Sequence, residues 1–214
     1  MFDPGPCVYM DKLVCGAEAS DVVDMDAPAE ENVIRVAKAL GIKPADVGVV
    51  ILDRPRHEEL IAAVRSAGAR VMLITDGDVA GSINVAQAGT GVHLLLGIGG
   101  TPEGVISACA VKCLGGHMLG RLWPRNDEER ARAKDAGYDL DQILTANDLA
   151  KSDNVFFAAT GVTDGRMLHG VRYSPGKAYT HSLVMRSRSG TIRYVEAEHT
   201  LEKLNVVSGS RYST

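Results

Sequence analysis

Between residue 28 and about residue 122, helical apolar periods alternate with short β-branched runs, and this alternation constrains the fold more than any other feature of the chain. It predicts an α/β layer fold built on a substantially parallel sheet. Asp26 is expected to cap the first helix and Pro28 to sit near its first turn. Val33, Ile34, Val36, Ala37 and Leu40 then make its apolar face before Gly41 stops it. Residues 47–52, 69–75 and 92–96 read as strands, with helices expected after each, the last of them ending near Leu114. A distinctive cluster follows every strand: Arg54-Pro55-Arg56-His57, then Asp76-Gly77-Asp78, then Gly97-Ile98-Gly99-Gly100-Thr101-Pro102-Glu103-Gly104. The carboxyl ends of strands are where open α/β sheets place ligands, because the following helices present their N-termini there.

The remainder is read more thinly. Residues 126–135 are strongly charged and suit a solvated surface helix with no evident chemistry. Residues 154–160, 178–188 and 191–198 read as strands, the last two as a hairpin around Ser189-Gly190. An opening strand at residues 8–15 has no obvious partner nearby. With no internal repeat or linker, residues 1–214 are expected to form a single α/β domain.

Charge narrows the function classes. The 27 acidic and 23 basic side chains leave a net charge of −4 without a run of five like charges. That argues against a nucleic-acid surface or an anionic-membrane surface, both of which need clustered Lys and Arg. No apolar stretch reaches the ~18 residues of a membrane span, and no basic segment precedes an apolar one at the start, so a cytoplasmic protein is expected. Cys7, Cys15, Cys109 and Cys113 form no CxxC pair and are expected to be buried free thiols rather than a zinc site or disulfide framework.

Three clusters carry candidate chemistry. Arg54 and Arg56 flank a proline that fixes the backbone between them, which suits a phosphate clamp; the alternative is two solvated charges on a helix's first turn. His57 could add a donor or a base, or simply pack. Asp76 and Asp78 put two carboxylates on one turn, a spacing that suits sugar hydroxyls or a hard cation, or equally a capped turn. The glycines at 97, 99 and 100 permit close backbone approach to a ligand, but the run is neither GxxxxGKS nor GxGxxG. Glu103 in the first turn of the following helix would repel a phosphate unless a cation lay between them. Neither a GxSxG elbow nor a histidine-oriented nucleophile supports a hydrolase of the serine or cysteine type. From the residues alone the reading ends at a phosphosugar-like anion site, with or without a divalent metal.

The segments Tyr9-Met10-Asp11-Lys12, Ile51-Leu52-Asp53-Arg54-Pro55-Arg56-His57, Leu73-Ile74-Thr75-Asp76-Gly77-Asp78-Val79-Ala80, the run from Gly97 to Gly104, and Ser152-Asp153-Asn154-Val155-Phe156-Phe157-Ala158-Ala159-Thr160-Gly161-Val162-Thr163-Asp164-Gly165 together resemble the class II fructose-1,6-bisphosphatases, in order and through nearly the whole chain. The resemblance implies a layered α-β-α sandwich of the sugar-phosphatase type, shared by the fructose bisphosphatases and inositol monophosphatases. It also implies hydrolysis of the 1-phosphate of fructose 1,6-bisphosphate in gluconeogenesis, with Mn²⁺ or Mg²⁺ as cofactor and a homo-oligomer as the assembly. Carried over, the family's substrate contacts fall on Tyr9, Arg54, Pro55, Arg56, Asp76, Gly77, Asp78 and Gly100, and one metal ligand falls on Glu103. Arg54 replaces a lysine that many relatives carry. Met1 aligns with an internal methionine of the family, so the sequence corresponds to the C-terminal, substrate-binding part of a larger phosphatase. The catalytic residues and most metal ligands are expected upstream of Met1, and this chain alone is expected to be inactive. The alternative is a catalytically silent phosphosugar-binding or scaffold module.

Overall fold

The computed structural model describes residues 1–208. In chain order the elements are β1 (Tyr9–Cys15), α1 (Ala29–Leu40), β2 (Gly48–Leu52), α2 (Glu58–Ser66), β3 (Arg70–Ile74), α3 (Asp78–Ala86), β4 (Leu94–Gly100), α4 (Thr101–Leu114), β5 (His117–Trp123), α5 (Asp127–Asp135), β6 (Leu144–Thr145), α6 (Ala146–Leu149), β7 (Phe156–Thr160), β8 (Arg172–Ser174), β9 (Lys177–Arg186), β10 (Thr191–Thr200) and α7 (Leu201–Ser208). The first sheet has six strands in the order β3-β2-β4-β1-β5-β6. β2, β3 and β4 are mutually parallel, as the helical crossovers between them require. β1 enters between β4 and β5 antiparallel to both, so the sheet is mixed rather than substantially parallel.

The two faces of this sheet are covered differently. Leu13, Val49, Ile51, Leu94 and Leu96 pack against Val33, Val36, Ile61 and Val64 of α1 and α2. Met10, Val14, Val50 and Leu95 pack against Val105, Ala108 and Val111 of α4 and Val85 of α3. The outer side of α3 and α4 then buries Ile83, Ala110 and Cys113 against Phe157, Leu183 and Met185 of a second sheet, ordered β10-β9-β7 with β8 also on β9. The layered α-β-α sandwich is present, and a further β layer lies beyond it.

Several local expectations shift. Ile34 is 54% exposed instead of joining the apolar face of α1. Asp26 does not cap that helix, whose N-cap is Pro28 without a side-chain bond; it pairs with Arg121 at 2.5 Å. β4 runs past Leu96 through Gly100, so the first four residues of the glycine-rich run are strand and Thr101–Gly104 already belong to α4. β5 was not among the expected strands; its sequence HMLGRLW contains no β-branched residue, and Gly120 lies against the Met10 sulfur. None of the helices among the described residues is long and apolar enough to cross a membrane. All four cysteines are free, with Cys7, Cys15 and Cys113 buried, and burial pushes the Cys15 thiol up to about 12.

Candidate functional site

The carboxyl ends of β2, β3 and β4 lie side by side, and the N-terminal end of antiparallel β1 arrives at the same edge. Tyr9 therefore stands opposite Gly100 on one side and Trp123 on the other, its ring edge-on to the indole at 6.4 Å. Arg56 reaches this point from the turn after β2. Its Nη2 and Nε donate to the Ile98 carbonyl at 2.7 and 3.3 Å, and its guanidinium carbon lies 5.2 Å from the centre of the Tyr9 ring. Arg54 sits beside Asp76, with Nη2 3.6 Å from Oδ1, while the Asp53 amide donates to the Ile74 carbonyl and joins the tips of β2 and β3. Pro55 lies between the two arginines and starts the 3-10 turn that carries Arg56. Tyr9, Arg56 and Gly100 are thus one cluster, with Arg54 and Asp76 at the neighbouring strand tips.

His57 is a fastener. Its Nδ1 donates to the Leu52 carbonyl and its Nε2 accepts from the Ile98 amide, each at 2.8 Å, which fixes the neutral Nδ1-protonated form. β2 and β4 are laddered through Val49 and Val50 only, so the imidazole supplies the link at their ends. Burial lowers its pKa, and the nearby Arg56 and Arg54 add to that. Gly97 makes room: at φ +114°, a Cβ there would stand 2.9 Å from Nε2.

The two aspartates after β3 part company. Asp76 is 95% exposed, whereas Asp78 is buried and receives a hydrogen bond from the Lys12 ammonium at 2.6 Å. The expected pair of carboxylates on one turn is therefore not presented together. Lys12 is 1% exposed on the α3 and α4 side of β1, and an ammonium so deep requires a counter-charge. Burial pulls its pKa down, opposed by Asp78 and then by Glu103. Asp78 Oδ1 has no partner among the described residues. Gly99 is needed above the pair, because a Cβ there would collide with Asp78 Oδ2. Gly77 caps α3 without a side-chain bond.

Glu103 is exposed in the first turn of α4, beside Gly100. It offers one carboxylate, and among the described residues no group of three or more His, Cys, Asp or Glu is arranged to hold a metal ion. A hard divalent cation takes about six oxygen ligands, so the residues present do not make up a metal site.

Three residues at this edge were missed from sequence. Lys12 lies in β1, a strand that also carries Asp11. Glu129 lies in the first turn of the charged helix that seemed merely solvated, and Arg125 just before that helix. Glu129 is 1% exposed and accepts from the Arg125 amide at 2.6 Å and the Arg125 guanidinium at 3.2 Å. Burial works against its ionisation, but those bonds and one from the Val8 amide outweigh it and hold the carboxyl below its usual range. The guanidinium carbon of Arg125 comes to rest 5.8 Å from the centre of the Tyr9 ring. A signal existed: Asn126, which caps α5 by accepting from the Glu129 amide, is followed three residues later by that glutamate, as in a capping box.

Comparison with known proteins adds the family. Proteins named D-fructose 1,6-bisphosphatase class 2/sedoheptulose 1,7-bisphosphatase from Synechococcus sp. (strain JA-3-3Ab) and Trichodesmium erythraeum (strain IMS101) are each 43% identical to this chain over 207 residues. Each alignment covers 91% of the chain but only 60% of the relative's length. Residues 1–199 match the family described as bacterial fructose-1,6-bisphosphatase, glpX-encoded, and it is to this family that the chain belongs.

Proposed function

We propose that this chain forms the phosphosugar-binding part of a metal-dependent fructose-1,6-bisphosphatase that releases the 1-phosphate of fructose 1,6-bisphosphate in gluconeogenesis. The observation that carries this reading is the convergence of Arg56, Tyr9 and Gly100, with Arg54 alongside, at the carboxyl edge of the first sheet. Two guanidinium groups suit the phosphates, and Asp76 and the backbone around Gly77 suit the sugar hydroxyls. Buried Asp78 supports this surface through Lys12 rather than by direct contact. Glu103 is the one ligand that this part brings toward Mn²⁺ or Mg²⁺. The two relatives support the substrate assignment by name, and their additional name extends the proposal to sedoheptulose 1,7-bisphosphate. We place the protein in the cytoplasm as a homo-oligomer.

Phosphate release in Mn²⁺ or Mg²⁺ tests this reading. The assay compares the 214-residue chain with a fusion that prefixes the unmatched N-terminal part of the Synechococcus relative. Phosphate-monoester hydrolysis is among the slowest reactions in water, and one carboxylate cannot fix a catalytic metal. Binding without turnover is expected from the chain, and Glu103-dependent turnover from the fusion, abolished by Glu103→Gln. Robust turnover by the chain alone would refute the division of labour. A fusion that binds phosphosugar but stays inactive would favour the silent binding module.

A further inference from the structure

Two cationic groups meet at one aromatic ring at the edge of the first sheet. The guanidinium carbons of Arg56 and Arg125 lie 5.2 and 5.8 Å from the centre of the Tyr9 ring. Half-exposed arginine side chains ordinarily sample many rotamers, yet each of these is held. Arg56 is fixed by its two bonds to the Ile98 carbonyl. Arg125 is fixed by Glu129, a nearly fully buried carboxylate that also binds the Arg125 and Val8 amides and so ties the start of α5 to the start of β1. Burying a carboxylate is costly, and here the arrangement orients a half-exposed cation toward the ring. Arg56 has no carboxylate partner among the described residues, and Nη1 of Arg125 has no protein partner there. Two like charges held within 6 Å of one ring centre, with donors to spare, suit an anion.

We propose that Arg125 is a phosphate-binding residue, which with Arg56 and Tyr9 grips one phosphate monoester of a phosphosugar. The inference rests on the phosphosugar reading of the site and deepens it. Arg54, on the far side of Pro55 and engaged with Asp53 and Asp76, serves the rest of the ligand. A guanidinium at the Tyr9 end reaches only one end of a bisphosphate, so its contribution is specific to one phosphate.

The test is isothermal titration of the 214-residue chain with fructose 1,6-bisphosphate, fructose 1-phosphate, fructose 6-phosphate and fructose. Arg125→Ala is expected to weaken the bisphosphate and one of the two monophosphates by about tenfold or more, the scale of a lost charged hydrogen bond. The other monophosphate should be unaffected, and Arg125→Lys should recover part of the loss. Circular dichroism checks that both variants keep the fold. If Arg125→Ala binds all four ligands like the parent while Arg56→Ala is weakened, Arg125 has no such role and the phosphosugar reading stands. Equal weakening of both monophosphates, or of fructose itself, overturns the single-phosphate grip. A parent chain that binds no phosphorylated sugar overturns both.

Discussion

Lys12 and Asp78 form an ion pair within the protein, and its energetics turn on what is left when one partner goes. Lys12→Met would strand a buried carboxylate that already has one unpartnered oxygen, and Asp78→Leu would strand a buried ammonium. Each is expected to cost about 3–5 kcal/mol, while Lys12→Met combined with Asp78→Leu should be more stable than either single variant, since no charge is then buried alone. Urea denaturation of the three variants decides this; costs that simply add would show that the pair is not a coupled unit. His57 behaves in the opposite sense to a histidine that gains an acidic partner. Its folded pKa lies below the usual 6.5, so below about pH 6.5 the unfolded chain takes up a proton that the folded one refuses. Stability from this group is complete above that pH and falls as the pH drops toward the folded value. His93 and His117 are also lowered by burial and push the same way. Denaturation midpoints at pH 7.5, 6 and 5 should show the decline, and His57→Gln should shallow it; an unchanged slope would mean that other groups set the pH dependence.

At the scale of elements, α5 shows what a sequence conveys and what it withholds. Its charge pattern announces a surface helix and its Asn126 cap is readable, but Glu129 also takes a bond from the Val8 amide, just before β1, and that contact is not local. Asn126→Ala should cost about 1 kcal/mol, the usual loss for such a cap, read as a lowered melting temperature. The parallel strands and their helices were legible because each βαβ unit carries its own alternation and its own turn residues. β1 was legible as a strand but not in its place: its neighbours β4 and β5 come from residues 94–100 and 117–123, and apolar character alone does not say which strands it joins or in which direction. The clusters after β2, β3 and β4 were readable as neighbours because strand ends in a parallel sheet share an edge. Asp78 was misjudged for a related reason: spacing placed it near Asp76, whereas the inward side of α3 and the demand of Lys12 turned it away. Lys12 was assigned no role from sequence, since its counter-ion is 66 residues distant.

For the molecule as a whole, the two sheets are unequal. The first is covered on both faces, but the second buries only the side carrying Phe157, Leu183 and Met185. On the alternate side, Phe156 is 64% exposed, with only the Arg186 guanidinium over its ring, and Val195 of β10 is 41% exposed. Next to Phe156 lies a groove of about 640 Å³ whose lining includes Met1, Ile106 and Cys109; Met1 and Ile106 are 84% and 44% exposed. Scattered single apolar residues on a surface need no explanation, but an open strand face continuous with an apolar groove is the kind of surface that proteins cover by association. β10 adds to it an edge of ten residues with one side unpaired among the described residues, although Glu196, Glu198 and Arg193 along it discourage unlimited strand addition. The expected outcome is therefore reversible, limited association of the 214-residue chain that strengthens with concentration. Sedimentation velocity across a hundredfold range, about 1 to 100 μM, should show the average mass rising for the parent chain. Phe156→Ser, which removes the largest exposed ring from this face without touching the buried side, should shift the rise to higher concentration and leave the unfolding free energy of the dilute protein within about 0.5 kcal/mol of the parent. A chain that stays monomeric over the whole range would mean that this apolar face is tolerated bare, and an association untouched by Phe156→Ser would place the contact elsewhere on the molecule.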